Sequence, residues 1–378
     1  MGILSRTVLA AALCTLAAGA ARADGHDDFT FVETALVSNL AGQAQHQDPN
    51  LVNAWGVAFA PGGDFWINAN GAGLSLLYDG TGVASTGLPA VTIPGPGGAT
   101  SAPTGIIWNP AGAFDLPGTK SAAVFVFDSE DGLITAWNPG VNLTNAVVAV
   151  DNSKTGPGGA VYKGLAFGVT ATGPHLYASN FRAGTVDVYD AAFAANLLDG
   201  QVPNASAATN ITGKFADPRI PSGYAPFGIQ NIDGDLYVSY AKQDAQKHDD
   251  AAGPHRGFVD VFSTDGVLLR RFAAAGPLNS PWGIAQAPAG FGRLGGAILI
   301  GNFGDGRINA YAPQGFFIGQ LQGSNGRALT IDGLWALSFG GGAVSTPDTL
   351  YFTAGPNGES NGLFGTLTPK PGDNHDDD

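Results

Sequence analysis

The chain has 378 residues, with 31 acidic side chains against 17 basic ones and a formal net charge of −14. Such an acidic chain repels nucleic acid and anionic membranes, so membranes are poor partners and we expect no binding of nucleic acid. The chain is rich in glycine (57) and proline (24), and only Glu33, Glu130 and Glu359 among its acidic residues are glutamates. Because aspartate favours turns whereas glutamate favours helices, this composition predicts an all-β protein with many tight turns.

The first 23 residues have the pattern of a secretory signal peptide. A basic start is followed by an apolar run over residues 7–20 and by the small-residue cleavage pattern Ala21-Arg22-Ala23. That run is too short to span a bilayer, and no second run of comparable apolar character follows. We therefore expect cleavage after Ala23 and a secreted or periplasmic mature chain without a membrane span.

A short motif then recurs six times: an approach residue, a glycine and an apolar run. The six glycines are Gly56, Gly105, Gly164, Gly228, Gly283 and Gly333. Each is followed by a second apolar strand, a polar turn and a third strand in which apolar and polar residues alternate. Six units that are each too small to bury their own apolar face predict a six-bladed β-propeller over residues 24–370.

The two ends of the chain complete this prediction. The sixth unit stops after its third strand at residues 362–368, whereas an additional strand-like segment at residues 31–40 precedes the first unit. We expect the N-terminal segment to supply the outer strand of the last blade and close the ring, which removes an open sheet edge. Residues 371–378 form an acidic segment that we expect to be a disordered tail.

Four stretches carry a resemblance to a known family. They are DPNLVNAWGVAF (48–59), YAKQDAQKHDDAAGPHRGFVDVF (240–262), GNFGDGRINAY (301–311) and GPNGESNGLFG (355–365). The repeat resembles NHL-type repeats, and the mature chain is similar to an uncharacterised exported bacterial family of six-bladed propellers. The resemblance implies a fold of the NHL and SMP-30 kind and implies no particular activity.

One rim of the channel is the predicted site. In a four-stranded antiparallel blade, the loop entering the inner strand and the turn between the second and third strands emerge at the same end. The predicted ligand-binding residues on this rim are Asn53, Trp55, Lys163, Arg182, Asp244, His248 and Trp282. The alternative for the tryptophans is that they pack between neighbouring blades.

The same rim is rich in oxygen ligands of the kind that Ca²⁺ prefers. The predicted metal ligands are Glu130, Asn180, Asn302, Asp332 and Glu359. The alternative is that these asparagine and acidic side chains only satisfy the backbone of their own turns.

An insertion of about 16 residues, Ala241 to Arg256, separates the second and third strands of the fourth unit. On the predicted rim it could cover the channel mouth, with His248 joining Glu130 and Glu359 as candidate catalytic residues. The alternative is a solvated loop of mixed charge.

The chain has no G-x-S-x-G elbow, no complete G-x-G-x-x-G and no P-loop. The sequence therefore favours a non-enzymatic exported propeller that binds a small molecule, a glycan or an extracellular protein through this rim. The alternative rests on a resemblance to calcium-dependent six-bladed lactonases, which implies a metal-dependent lactonase or esterase with an ion on the axis.

Overall fold

The computed structural model describes residues 29–196 and 214–370. The predicted signal peptide (1–23) and acidic tail (371–378) lie outside these ranges. The described residues form six β-sheets and three single-turn 3₁₀ helices, Asn70–Ala72, Pro96–Gly98 and Gly292–Leu294. None of the helices in these ranges is long and apolar enough to cross a membrane. The predicted all-β, six-bladed propeller is confirmed.

The first five blades each have four antiparallel strands, which follow one another along the chain from the axis outward. Blade 1 comprises β3 (Ala54–Phe59), β4 (Phe65–Ala69), β5 (Leu74–Tyr78) and β6 (Ala90–Thr92). Blade 2 comprises β7 (Pro103–Trp108), β8 (Phe125–Ser129), β9 (Leu133–Trp137) and β10 (Val147–Asp151). Blade 3 comprises β11 (Tyr162–Thr170), β12 (Gly173–Asn180), β13 (Thr185–Tyr189) and β14 (Ala195–Asn196). Blade 4 comprises β15 (Tyr224–Ile232), β16 (Asp235–Lys242), β17 (Phe258–Ser263) and β18 (Leu268–Ala274). Blade 5 comprises β19 (Pro281–Gln286), β20 (Ile298–Asn302), β21 (Ile308–Tyr311) and β22 (Phe317–Gln320).

The sixth blade joins the two ends of the chain, as the sequence predicts. It contains β24 (Leu334–Phe339), β25 (Leu350–Ala354), β26 (Leu363–Pro369) and β1 (Thr30–Ser38), with the short strands β2 (His46–Gln47) and β23 (Gln322–Gly323) paired to β1. Strand β1 lies antiparallel to β26, from Phe31 opposite Pro369 to Ser38 opposite Leu363. Hydrogen bonds between the first and last strands therefore close the ring and leave no open end.

Apolar side chains fill the spaces between neighbouring blades. Between the first two blades, for example, the Trp66 ring of β4 stacks on Phe125 of β8 with 4.3 Å between ring centroids, and Trp137 of β9 packs beside them. All three side chains are buried. Burying such faces against a neighbour is the main favourable contribution to the stability of a repeat that cannot bury them alone.

All six inner strands share an irregularity in register near their start. A β-bulge interrupts pairing between Ala54 and Val57 in β3, and equivalent bulges occur in β7, β11, β15, β19 and β24. One residue of each bulge belongs to what we call the inner ring: Trp55, Thr104, Lys163, Phe227, Trp282 and Trp335. Contacts across non-adjacent blades, such as Trp55 with Trp282, place this ring at the axis.

The repeat glycine follows the inner-ring residue because the backbone of the next blade lies directly against it. A Cβ atom on Gly228 would lie 2.1 Å from the carbonyl oxygen of Trp282, and one on Gly56 would lie 2.3 Å from that of Thr104. Only glycine permits so close an approach at these positions.

The sixth unit departs from the predicted alignment by three residues. The register of β24 with β25 puts Trp335 in the inner ring, followed by Ala336 where the other blades have glycine. Gly333 lies before the strand, has a φ of +66°, and packs against the Gly355 carbonyl. The predicted role of Gly333 as the sixth repeat glycine is therefore wrong. Because of the same misalignment, the sequence did not identify Trp335 as a residue of the inner ring.

Candidate ligand-binding site at the channel mouth

A second set of residues surrounds the inner ring. These residues occupy equivalent positions at the ends of the second strands. In each blade, the last inner-strand residue before the bulge pairs with a residue of the second strand, and the outer-ring residue is the next one along that second strand. We call them the outer ring: Asn70, Glu130, Phe181, Ala241, Phe303 and Gly355. The bulge in each inner strand and the end of each second strand thus bring two rings together at one end of the channel.

The two rings divide the channel mouth into a polar part and an aromatic part. Blades 1 to 3 contribute Asn70, Thr104, Glu130 and Lys163. The aromatic side chains are Trp55, Phe181, Phe227, Trp282, Phe303 and Trp335, which pack with Ala225 and Ala241 in one cluster. The channel mouth is consequently amphipathic.

Stacked indole rings fill the aromatic part. The Trp335 ring lies between Trp55, at 3.5 Å between centroids, and Phe303, at 3.9 Å. Trp55 is only 1% exposed, so this predicted ligand contact lies in the interior and packs against its neighbours instead. Trp282 stays partly exposed, and its Nε1 donates a 2.7 Å hydrogen bond to the Lys163 carbonyl.

The channel is narrow behind the rings. Its cavity there has a volume of about 40 Å³ and is lined largely by the repeat glycines and by aliphatic side chains such as Ile106 and Leu165. A ligand larger than a few waters would therefore rest on the rings from the outside.

Lys163 is the buried cation of the polar part. Its side chain is 2% exposed, and its Nζ donates to Glu130 Oε1 and, over 2.9 Å, to Asp249 Oδ1. The same ammonium lies 5.2 Å from the centre of the Trp55 ring. Burial alone would lower the pKa of Lys163, but the carboxylates of Glu130 and Asp249 outweigh it and hold this pKa above its usual range.

Two asparagine side chains connect Glu130 to the sixth blade. Asn70 Nδ2 donates to Glu130 Oε2 over 3.0 Å, and Asn53 Nδ2 donates to Asn70 Oδ1 over 3.2 Å. Asn53 Nδ2 also donates to Glu359 Oε2 over 2.7 Å. We call this hydrogen-bonded set the polar arc: Glu359, Asn53, Asn70, Glu130, Lys163 and Asp249.

The backbone is strained where the polar arc begins. Glu359 has a φ of +65° and Asn53 a φ of +50°, the left-handed region that side chains other than glycine rarely adopt. Trp335 Nε1 donates to Asn53 Oδ1 over 2.9 Å, and a Cβ on Gly355 would lie 2.1 Å from the same oxygen. Burial, and then the charge of Glu130, raise the pKa of Glu359 above its ordinary value.

The insertion of the fourth blade places Asp249 beside Lys163. Its tip is a compact turn in which the Asp244 amide donates to the Asp249 carbonyl, and the His248 amide donates to Asp244 Oδ1 over 2.9 Å. His248 Nδ1 lies 3.1 Å from Asp249 Oδ1. This contact raises the pKa of His248, and together with Lys163 it holds the pKa of Asp249 well below its usual range.

Two predicted metal ligands lie on the other side of their strands. Asn180 and Asn302 each precede an outer-ring residue by one position, so strand alternation turns their side chains away from the channel mouth. Both are buried: Asn180 Nδ2 donates to Asp187 over 2.9 Å, and Asn302 Nδ2 donates to Asp305 over 3.0 Å. The structure does not bring them to the polar arc.

Of the remaining predicted residues, some lie away from the polar arc and others lie at it or beside it. Asp332 is exposed and accepts a 2.8 Å hydrogen bond from the Asn357 amide within the sixth blade. Arg182 donates to the carbonyls of a neighbouring loop, Gly158 and Gly159. Asn53, Glu130, Lys163, His248 and Glu359, in contrast, meet at the polar arc or directly beside it.

Within the described ranges, one group of three could offer a metal ion His or carboxylate ligands. It consists of Glu130, His248 and Asp249, with ligand atoms within 4.8 Å of one another. The Lys163 ammonium is hydrogen-bonded to two of the three. An ammonium has no lone pair to give a metal and already supplies positive charge there, so this arrangement does not fit an axial calcium ion.

Several residues of the site fall outside the predicted set, among them Asn70, Asp249 and Trp335. Aligning Trp335-Ala336 with Trp55-Gly56, rather than aligning glycines, would have found the tryptophan. Position alone put Asn70 and Asp249 on the predicted rim, but nothing distinguished them from its other residues, because turn-forming asparagine and aspartate are common throughout the chain.

Comparison with known proteins finds relatives in a giant virus. No family model matches the chain. It is 34% identical to the uncharacterized protein R648 of Acanthamoeba polyphaga mimivirus over 337 residues, which cover 88% of this chain and 78% of that protein. It is 32% identical to the uncharacterized protein L690 of the same virus over 335 residues, which cover 88% and 84%.

The chain belongs to the family of these two viral proteins. The expectation of a bacterial family is not supported by them, since both relatives are viral. Both mimivirus proteins align with 88% of this chain, and both are described as uncharacterized.

Solved structures resemble this family member in fold. An α-L-arabinanase of Penicillium chrysogenum, solved with arabinobiose, is 10% identical with a TM-score of 0.50, covering 90% of this chain and 98% of its own. Virginiamycin B lyase of Staphylococcus aureus is 14% identical with a TM-score of 0.48, covering 90% and 99%. At such low identity these likenesses concern the propeller fold alone.

Proposed function

We propose that this chain is an exported, non-enzymatic propeller that binds a small molecule or glycan on the two rings. The observation that supports this function is the polar arc. It gathers three carboxylates, two amides and a buried ammonium from five blades into one hydrogen-bonded set beside an aromatic surface. Strained, interconnected polar groups at the open end of a rigid scaffold are typical of a binding site.

The composition of the channel mouth indicates the kind of ligand. Glu359 and His248 are partly exposed and Asp249 is exposed, and the two carboxylates accept hydrogen bonds when ionised. The partly exposed Trp282 offers an apolar surface on the opposite side. A molecule with hydroxyl or amino donors on one edge and an apolar face on the other, such as a neutral sugar or an amino sugar, fits this arrangement.

A thermal-shift screen of the mature protein against neutral sugars, amino sugars and amines tests the proposal. Binding raises the melting temperature. For each compound that does so, Glu359→Gln and Trp282→Leu should weaken affinity by about tenfold. The matched controls Glu33→Gln and Trp108→Leu change the same residue types away from the rings and should keep it. Equal losses in all four variants, or no compound that binds, would count against this function.

A calcium-dependent hydrolase is the second candidate, for which Glu130, His248 and Asp249 would be the ligands. A divalent ion there would require Lys163 to leave both carboxylates. Thermal unfolding with excess EDTA, followed by added Ca²⁺, separates the two candidates. A stabilisation of several degrees by Ca²⁺ that Glu130→Ala abolishes would support the hydrolase and justify assays with lactones and esters.

Export is part of the proposal and rests on residues 1–23. Intact-mass and N-terminal analysis of the protein from an expressing bacterium tests it directly. A chain that begins at Asp24 and is found in the periplasm or medium supports export, whereas an uncleaved cytoplasmic chain contradicts it.

A further inference from the structure

A separate groove lies on the fifth blade, outside both rings. Its volume is about 630 Å³. The insertion contributes His255, the loop before β19 contributes Asn279, the turn between β20 and β21 contributes Arg307, and the outer strand β22 contributes Phe317. None of its lining residues belongs to the polar arc or to either ring, and a groove of this size accommodates a ligand of several rings.

Arg307 is the arginine that lines the groove. Its side chain is exposed, and its guanidinium forms no hydrogen bond or ion pair with the described residues. Asp305 also lines the groove, but it accepts from Asn302 Nδ2 and from the Arg307 backbone amide rather than from the guanidinium. In a chain of net charge −14, a free guanidinium in a groove is a candidate partner for an anion. Its planar fork suits a carboxylate in particular.

A buried amide and a histidine supply further polar groups. Asn279 is 7% exposed, and its Oδ1 accepts from the Gly253 amide over 2.6 Å. That hydrogen bond fixes the orientation of the amide, whose Nδ2 makes no hydrogen bond within the described ranges. His255 Nδ1 lies 2.5 Å from the Gly276 carbonyl oxygen, so Nδ1 carries the proton and Nε2 stays available.

Phe317 provides a flat apolar surface beside these polar groups. Its side chain is 49% exposed although it lies in a strand, and its ring packs edge to face on Tyr311 with 5.4 Å between centroids. Gly319, on the same strand, adds no side chain next to it. A half-exposed aromatic ring whose position is fixed by a neighbour is well suited to stacking on the C–H face of a sugar.

We propose that this groove is a second binding site and that it takes an acidic oligosaccharide built from uronic acid units. Phe317 stacks on one sugar ring, Arg307 binds a carboxylate in bidentate fashion, and Asn279 donates to a hydroxyl. The insertion then serves both sites, because Asp249 joins its tip to the polar arc while His255 lines the groove.

Titration calorimetry of the mature protein with trigalacturonate tests this proposal, with maltotriose as the neutral sugar and sodium acetate as the small carboxylate. Arg307→Gln and Phe317→Ser should each weaken trigalacturonate binding by about tenfold or more. Arg327→Gln and Phe316→Ser are the matched controls, because both side chains are exposed and neither lines the groove. Both controls should bind as the unmodified protein does.

Three results with the unmodified protein would overturn the proposal: no binding of trigalacturonate, equally tight binding of maltotriose, or binding of acetate with the same affinity as the trisaccharide. Equal losses in the control variants would do so as well. Glu359→Gln separates this proposal from the function of the two rings, since it should leave trigalacturonate binding unchanged while weakening ligands of the polar arc.

Discussion

Nζ of Lys163 donates a 2.9 Å hydrogen bond to Oδ1 of Asp249, which joins the inner strand of the third blade to the insertion of the fourth. The lysine side chain is buried, whereas the aspartate side chain is 62% exposed. Glu130, only 13% exposed, holds the same ammonium from the second blade. The position of the insertion therefore depends on a charge that three blades share.

Lys163→Met should lower the free energy of unfolding by about 3–5 kcal/mol, because it leaves the carboxylate of Glu130 buried without its cation. Urea unfolding followed by tryptophan fluorescence measures the loss. In the double variant Lys163→Met/Glu130→Gln the charge is removed with its partner, so part of the stability should return. Lys154→Met, at an exposed position, is the control; a loss there as large as that of Lys163→Met would contradict the argument.

The contact between His248 and Asp249 should weaken as the solution becomes more alkaline. Asp249 raises the pKa of His248 in the folded protein, so the stabilisation is complete below the unfolded value of about 6.5 and is lost as pH rises through the folded value. Protection factors from amide exchange over residues 244–250 should fall accordingly.

A titration of His248 by NMR checks the cause of that change. Asp249→Asn should lower the pKa of His248, whereas Asp332→Asn, which removes an acid of the sixth blade, should leave it in place. An unchanged His248 titration in Asp249→Asn would show that another group sets its pKa.

Asp128 should make the protein less stable as pH rises from about 4 to 7. Its carboxyl is fully buried, and although Thr104 and the Gly105 amide donate to it, burial raises its pKa to about 7. The folded state thus keeps a proton that the unfolded state releases above its own pKa of about 3.9, and stability is lost until the folded group ionises as well.

Asp128→Asn isolates this effect, because the other acids remain. The difference in unfolding free energy between the two proteins should change by up to ~1.4 kcal/mol per pH unit in that interval and level off above it. Parallel stability curves for the variant and the unmodified protein would contradict the assignment.

Gly228→Ala should destabilise the ring by about 1–3 kcal/mol, since its Cβ would lie 2.1 Å from the Trp282 carbonyl oxygen. Gly87→Ala is the matched control, because a Cβ there meets nothing within 4 Å. Differential scanning calorimetry of both variants measures the difference. Equal melting temperatures would mean that the fourth and fifth blades can separate at the axis without cost.

Much of the architecture could be predicted because it depends on local patterns that repeat. Alternating apolar residues located the second and third strands of the blades, and the additional segment at residues 31–40 predicted the closing strand β1. The alignment failed only in the sixth blade. There Ala336 occupies the position of the repeat glycine, and Gly333, which lies in the preceding turn, was mistaken for that glycine.

The candidate site could be predicted only in part, for a physical reason. Rim position identified Glu130 and Glu359, but whether a turn residue faces the channel depends on a shift of one position along a strand. That shift separates Asn180 and Asn302 from the outer ring. The ammonium of Lys163 lies between Glu130, 33 positions away in the sequence, and Asp249, 86 positions away. Contacts between residues so far apart cannot be read from a local pattern.

The sequence by itself determined the number of blades, the closure of the ring and the end of the channel at which polar residues gather, because periodicity and turn chemistry are local properties of the chain. Tertiary structure alone decided which side chains meet. It buried Trp55 among other aromatic rings, joined Glu359 to Lys163 through a series of hydrogen bonds, and formed the groove at Arg307. Those contacts depend on how neighbouring blades pack around the axis, which no single repeat specifies.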